Sequence, residues 1–133
     1  MAATDHEQIR ALVARYNFAF DFGDADAWAA CFTDDGAFES VGVESEPVHV
    51  DRADLPAFAE RQFGINQLRG RHWTNNELIE IDGDTATMQC YLVAITTDRR
   101  IAATGVYRDR LRKVDGQWLF SLRHVDVDTR PTD

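Results

Sequence analysis

The second half of the chain contains two Asp-Gly pairs, Asp82-Gly83 and Asp115-Gly116, each between long segments rich in β-branched and apolar residues. Asp-Gly is a strong hairpin signal, because both residues tolerate the positive φ that a type I′ turn requires. A polar loop, residues 98–100, supplies a third break. These breaks predict a meander of four antiparallel strands, over residues 71–81, 85–97, 101–114 and 117–127. One face of such a meander must be covered by another layer.

The first half has helical spacing instead. Thr4 and Glu7 form a capping-box pattern, and apolar residues follow at intervals of three and four as far as Phe20. We predict a long amphipathic helix that ends near Gly23, then a short helix, a turn at residues 33–36, a short strand over 37–43 and a third helix over 51–63. This order predicts one α+β domain, residues 1–133, with about three helices packed on one face of a curved, mixed or antiparallel sheet.

The chain of 133 residues carries a formal net charge of −9. That charge argues against a nucleic-acid partner, because phosphate groups require a basic surface. No apolar run approaches the roughly 18 residues of a membrane span, and residues 1–10 have no apolar core of a secretory signal. We therefore expect no membrane partner and a cytoplasmic location, with Cys31 and Cys90 as reduced thiols.

Three ionisable side chains are the strongest candidates for chemistry. His72 lies at the start of the first long predicted strand, and an imidazole exchanges a proton near neutral pH. Tyr16 and Asp21 lie on the first helix, five positions apart, which is roughly 140° around an ideal helix. They face one pocket only if the helix bends or ends at Asp21, which Gly23 would allow.

Several short motifs, taken in order along nearly the whole chain, resemble the SnoaL-like family of the nuclear transport factor 2-like (NTF2-like) superfamily. The motifs are Tyr16…Asp21-x-x-Asp24, Trp28, Phe32-Thr33-x-Asp35-Gly36, Arg71-His72-x-x-Asn75, Asp82-Gly83-Asp84-x-Ala86, Gly105-x-Tyr107-x-Asp109 and Gly116-x-Trp118. The resemblance implies a cone, in which the curved sheet wraps around the long first helix and a deep pocket opens at one end. It also implies a homo-oligomer, usually a dimer and sometimes a trimer or larger, packed through the outer face of the sheet.

Within the superfamily, the chain is most similar to scytalone dehydratase and bile-acid 7α-dehydratase. The resemblance implies that Tyr16, Asp21 and His72 are catalytic, since those enzymes use a tyrosine, an aspartate and a histidine at the matching places. The chain departs from scytalone dehydratase at the second pocket histidine, where it offers Gln89 or Tyr91. The resemblance also implies chemistry without a cofactor. The sequence itself has no nucleotide-binding or flavin-binding motif.

Removal of water from a β-hydroxy ketone requires a base at the carbon next to the carbonyl, a donor to the enolate oxygen and an acid for the leaving hydroxyl. We assign the base to His72, its orientation to Asp21 and the donor to Tyr16. The expected partner is a small hydrophobic oxygenated molecule, such as a polyketide, a steroid or an aromatic compound. The same groups can run a double-bond isomerisation, in which the proton returns to another carbon.

Four further residues are candidates for binding that substrate: Trp28, Asn75, Tyr107 and Arg123. Arg123 is preferred to His124, because alternation allows only one of them to face the pocket. Asn75 has the opposite strand parity to His72, so both point inward only across a bulge. No set of four suitable ligands is evident, so we expect no metal.

Two other functions remain open on the same scaffold. One is a non-catalytic protein, either a ligand-binding module or a structural subunit similar to the small subunit of ring-hydroxylating dioxygenases. The other is a polyketide cyclase or an epoxide hydrolase. An epoxide hydrolase would require an Asp-Arg-Asp set, for which the sequence offers Asp21, Arg123 and Asp109.

Overall fold

Helices and strands follow in the predicted order in the computed structural model, which describes residues 2–44 and 46–129. Within these residues the helices are α1 (Asp5–Asp21), α2 (Ala25–Ala29) and α3 (Leu55–Asn66), and a 3-10 turn (Arg52–Asp54) precedes α3. The strands are β1 (Phe32–Val41), β2 (Val48–Asp51), β3 (Gly70–Asp82), β4 (Thr85–Thr96), β5 (Ile101–Val114) and β6 (Gln117–Val127). They form one sheet of order β2-β1-β6-β5-β4-β3, in which only β1 and β6 are parallel.

The predicted α+β architecture is confirmed, with three helices packed against a mixed sheet. The four strands of the meander lie within one residue of their predicted bounds.

Near β1 the prediction from the sequence misses one element and misplaces another. Strand β2 was not predicted, and the turn expected at residues 33–36 lies inside β1 as an irregularity, where the register against β6 shifts. There the Thr33 hydroxyl donates to Asp35 over 2.8 Å, which satisfies polar groups locally without ending the strand.

The two hairpins of the meander use different turns. Asp115 and Gly116 both have positive φ, 51° and 79°, as a type I′ turn requires. In the first hairpin Asp82 still pairs with Thr85, so Gly83 and Asp84 form the loop and only Gly83 has a positive φ, 62°. That pattern is typical of a type II′ turn, so the expected type I′ turn is wrong for this hairpin.

Helix α1 lies against the inner face of the sheet and is fixed at both ends by carboxylates. Its predicted capping box is present, with Thr4 and Glu7 each accepting from the other's backbone N–H. Near its start, Asp5 accepts from the Trp118 indole N–H over 2.9 Å and from the Lys113 ammonium over 3.1 Å. At its end, Asp21 contacts β3. The course of α1 across the sheet is therefore set by contacts at its two termini.

Side chains alternate between the two faces of the sheet. On β4, for example, Ala86, Met88, Cys90 and Leu92 are buried on the inner face, between exposed neighbours. Burial raises the pKa of Cys90, and likewise of Cys31, to about 11, which leaves both free thiols protonated and unreactive. Among the described residues, no helix is long and apolar enough to cross a membrane.

The outer face carries a network of histidines and carboxylates that joins β1, β2 and β6. Glu39 of β1 contacts Nδ1 of His49 on β2 over 2.9 Å and Nδ1 of His124 on β6 over 3.0 Å. The Nε2 atoms of the two rings reach Asp51 and Asp126 over 2.9 and 3.0 Å. An imidazole that donates from both nitrogens carries a positive charge. Accordingly Glu39 and Asp51 raise the pKa of His49, and Asp126 and Glu39 raise that of His124.

We expect this network to make folding stability depend on pH. Because both histidine pKa values are raised, its contribution is fully present below the unfolded value of about 6.5 and is lost as the pH rises through the folded values. The hydrogen bonds from His49 and His124 lower the pKa of Glu39. The contribution of Glu39 to stability is therefore present above about pH 4.5 and is lost at lower pH. Urea unfolding should show the largest stabilisation between these limits.

The matched comparison is a double variant, His49→Gln with His124→Gln, against His6→Gln, which changes an exposed histidine of α1. The double variant should lose part of the fall in unfolding free energy between about pH 6 and pH 8, whereas His6→Gln should keep the wild-type slope. Equal slopes in the wild type and the double variant would contradict the assignment.

Candidate functional site

A cavity of about 290 Å³ lies between the three helices and the inner face of the sheet. Its deep end is aromatic and fully buried, with Tyr16, Trp28 and Tyr107 in the wall. Exposed residues of the loop after β1, among them Val43 and Glu44, lie at its mouth. The other wall residues that are apolar include Phe20, Phe38, Phe58, Leu92, Ala94, Ala103 and Val125. The site is thus a largely apolar pocket with a few polar groups, which is typical of a site for a small molecule.

His72 lies in the wall of this cavity on β3. It pairs with Ala94 of β4, another wall residue, so both side chains belong to the inner face. The imidazole is 22% exposed and meets the ring of Phe20 edge to face at 5.4 Å. The predicted orientation of His72, toward the first helix and beside a pocket, therefore corresponds to its observed place.

Asp21 accepts two hydrogen bonds from His72, one from its backbone and one from its ring. One carboxylate oxygen accepts from the backbone N–H of His72 over 3.0 Å, and the other contacts Nδ1 of the same residue over 2.6 Å. The carboxylate is nearly buried, with 7% of the side chain exposed. Because a carboxylate only accepts, the ring proton lies on Nδ1 and the lone pair of the neutral ring lies on Nε2. Among residues 2–44 and 46–129, no group is hydrogen-bonded to that Nε2.

Tyr16 and Asp21 do not face the cavity together. Asp21 is the last residue of α1, and the chain turns away through Phe22 and Gly23, whose φ is +80°. Tyr16 lines the cavity, whereas Asp21 lies behind the imidazole and reaches the cavity only through His72. Because α1 ends at Asp21, Tyr16 lines the cavity directly and Asp21 contacts the ring of His72 from the other side.

The deep end of the cavity is rich in hydrogen-bond donors. The ring of Tyr16 lies 5.7 Å from that of Trp28 and 6.5 Å from that of Tyr107. Burial raises the pKa of Tyr107 to about 12 and that of Tyr16 well above its usual value of 10, so both hydroxyls stay protonated at neutral pH. The indole N–H of Trp28 is buried and has no hydrogen-bond partner among the described residues.

Arg123 lies behind the tyrosines and is not part of the cavity wall. It is fully buried, and its guanidinium carbon is 4.3 Å from the ring centre of Tyr16 and 3.5 Å from that of Tyr107. Its counter-ion is Asp109 on β5, whose Oδ1 is 3.3 Å from Arg123 Nε. Asp21 pairs with His72 instead, so the Asp-Arg-Asp set considered for an epoxide hydrolase is not assembled: Asp21 is separate from the pair of Arg123 and Asp109.

Asn75 is not brought to the cavity. It pairs with Tyr91 and is exposed on the face opposite to His72. The bulge that could have turned it inward lies after it, where Asn76 has a φ of 61° and the register shifts between Asn75 and Leu78. Its expected contact with substrate therefore requires a correction, because the parity change comes too late along the strand.

Two residues of this region were not predicted as part of it. Gln62 and Asn66 lie four positions apart on α3 and both reach the cavity. Helical spacing puts such residues on one face, so the signal was present. Asp109, which the sequence offered only within an Asp-Arg-Asp set, alternates with Tyr107 and Leu111 on β5 and lies on the inner face. No group of three His, Cys, Asp or Glu side chains suited to a metal ion is found in the described part of the chain.

The long first helix inside a curved sheet, with a cavity open at one end, defines a protein of the NTF2-like class. The SnoaL-like domain matches residues 1–124, and the chain therefore belongs to the SnoaL-like family. No curated protein matches the sequence.

Solved structures with the same fold support this membership. Rv3472 from Mycobacterium tuberculosis, described as a function unknown protein, is 38% identical over 93% of this chain and 72% of that one, with a TM-score of 0.82. A Nostoc punctiforme protein with a cystatin-like fold is 26% identical over 96% and 94% of the two chains, with a TM-score of 0.84. A candidate scytalone dehydratase from Novosphingobium aromaticivorans is 24% identical over 93% and 84%, with a TM-score of 0.74, which shows a shared fold.

The two hydrogen bonds of Asp21 predict a stability effect. Asp21→Ala should lower the free energy of unfolding by about 2–3 kcal/mol, because a partly buried backbone N–H loses its acceptor and the imidazole loses its charged partner. Asp34→Ala removes an exposed carboxylate of β1 and should change the free energy of unfolding by less than about 0.5 kcal/mol. Urea denaturation of both variants measures the difference, and equal effects would contradict the role of Asp21.

Proposed function

We propose that the protein is a cofactor-independent enzyme, a dehydratase-type lyase or an isomerase, that moves a proton at the carbon next to a carbonyl group. The substrate is a small, hydrophobic, oxygenated molecule of the polyketide, steroid or aromatic type. The observation that carries the proposal is the 2.6 Å contact between His72 Nδ1 and Asp21 in the wall of an apolar cavity. It leaves Nε2 as a base beside the space that a substrate would fill.

Asp21 supports the base in two ways. Its carboxylate fixes the tautomer and the orientation of the ring, and its negative charge stabilises the imidazolium that forms when Nε2 accepts the proton. The second hydrogen bond, from the backbone N–H of His72, holds the carboxylate itself in place. A base positioned in this way typically contributes about 10²- to 10⁴-fold to a rate.

The carbonyl oxygen of the substrate lies at the other end of the cavity in this proposal. Tyr16 donates to that oxygen, and the buried N–H of Trp28, also in the cavity wall, is a second donor. As His72 removes the proton, negative charge moves to the oxygen and these hydrogen bonds become stronger. The volume of about 290 Å³ is at the small end of ligand pockets, so it suits a compact ring system.

The dehydratase and the isomerase share this first step. In the dehydratase, the electron pair of the enolate forms the new C=C bond, the C–O bond at the β carbon breaks, and His72 returns its proton to the leaving hydroxyl to give water. In the isomerase, the proton returns to a different carbon and nothing leaves. A solved structure that shares the fold is described as a candidate scytalone dehydratase, so dehydration is the first of the two to test.

His72→Ala tests the proposal. Wild-type protein in D₂O with a panel of cyclic β-hydroxy ketones should exchange the α-hydrogen, followed by NMR, or form an enone, followed by its ultraviolet absorbance. The variant should be slower by at least about 100-fold, because the positioned base is lost. Bound ligand should still be detectable, since the apolar walls are intact.

His6→Ala is the matched control, because it removes an exposed histidine of α1 and should leave turnover unchanged. Undiminished exchange in His72→Ala would refute the assignment of the base. Binding of the panel by the wild type without exchange or dehydration would instead support a non-catalytic ligand-binding protein.

A further inference from the structure

We infer that Arg123, held by Asp109, is a positioning residue that makes the deep end of the cavity selective for a ligand with an anionic oxygen, such as a phenolate or an enolate. Arg123 acts through Tyr16 and Tyr107, without contact with the ligand. The inference rests on the proposed function for one step only, the identification of that oxygen with the one that gains charge in the reaction.

The position of the guanidinium is the first support. Its carbon lies 4.3 Å from the ring centre of Tyr16, 3.5 Å from that of Tyr107 and 4.7 Å from that of Phe120. A cation over the faces of aromatic rings is attracted by them, the more so where water is absent, and Arg123 is 0% exposed. Both tyrosine rings are therefore held against one buried cation, which sets where their hydroxyls meet the cavity.

The charge of this cation is incompletely balanced. Asp109 approaches it at one pair of atoms, 3.3 Å apart, and both Asp109 oxygens lack a hydrogen-bond partner in the described chain, as do Arg123 Nε and Nη1. The remaining nitrogen, Nη2, contacts the sulfur of Cys90 over 3.8 Å. Burial raises the pKa of the Asp109 carboxyl, and this opposes its ionisation beside Arg123. The buried carboxyl therefore offsets the charge of the guanidinium only in part.

The groups between this cation and the ligand are donors. The hydroxyls of Tyr16 and Tyr107 stay protonated at neutral pH, so each has a hydrogen to donate. A ligand that accepts these hydrogen bonds must present an acceptor atom. A positive potential behind them favours an acceptor with negative charge, and low polarity around the site strengthens that preference.

The experiment compares two ligands that differ in the oxyanion, 2,4-dinitrophenolate and 1,3-dinitrobenzene, at about pH 6.5, where this phenol is ionised. Calorimetry or the visible absorbance of the phenolate gives its dissociation constant, and competition gives that of dinitrobenzene. The wild type should bind the phenolate at least about tenfold more tightly. Arg123→Met, of similar length and without charge, should remove most of that preference, and Arg123→Lys should keep most of it.

Further variants separate charge from folding. Asp109→Asn should keep or increase the preference for the phenolate, because it removes the negative partner. If Arg123→Met alone does not fold, the double variant Arg123→Met with Asp109→Leu replaces the buried pair with apolar side chains, an exchange that is often neutral for stability. It should show the same loss of preference.

Three outcomes would overturn the inference: no preference in the wild type, an unchanged preference in Arg123→Met or the double variant, and an equal loss of both ligands in Arg123→Met and Arg123→Lys. The last would mean a purely structural role. The ratio of the two dissociation constants, measured also in His72→Ala, separates this result from the proposed function. If the ratio depends on Arg123 while His72→Ala keeps full turnover, the reaction is refuted and the inference stands. If His72→Ala loses turnover while the ratio does not depend on Arg123, the inference is refuted and the reaction stands.

Discussion

The two hydrogen bonds that Asp21 accepts from His72 join the end of α1 to β3, and the cavity depends on them. Strand β3 is an edge of the sheet, so only one of its sides is held by a neighbouring strand. The contact with Asp21 holds the other side of β3 against helix α1. The Asn17 side chain adds a second contact, because it donates to the Thr74 hydroxyl over 3.3 Å. The bond that closes the wall of the cavity also orients the candidate base within it.

Two buried carboxylates, Asp21 and Asp109, lie near the cavity, and they differ in how many of their oxygens have hydrogen-bond partners. In the pair of Asp21 and His72, both carboxylate oxygens have partners, as a buried charge requires. In the pair of Asp109 and Arg123, most polar side-chain atoms have no hydrogen-bond partner within residues 2–44 and 46–129, and burial of such groups opposes folding. The second pair therefore costs stability at the deep end of the cavity. An electrostatic function for the tyrosines beside it gives that cost a physical reason.

Much of the fold follows from local patterns. The alternation of β4 to β6 and the spacing of α1 predict both the elements and their inner faces, and the same parity places Arg123, not His124, inside. The errors have two causes. Strand β2 has only four residues, too few for a period to be recognised. The bulge at Asn76 changes which face of the sheet the following side chains occupy, and no local signal shows that it comes after Asn75. A bulge depends on the pairing of two strands, so one segment alone does not specify it.

The sequence by itself determined the helices, the meander and the side of each strand that is buried, because these depend on residues a few positions apart. It also supplied Tyr16, Asp21 and His72 as candidates, with Asp21 as the residue that orients the ring. Only the tertiary structure shows that Asp21, 51 positions before His72, reaches Nδ1 from the side away from the cavity. The same holds for Arg123, which the structure places under the tyrosines with Asp109. Such pairings depend on how α1 and the curved sheet meet, and that geometry is a property of the packed whole.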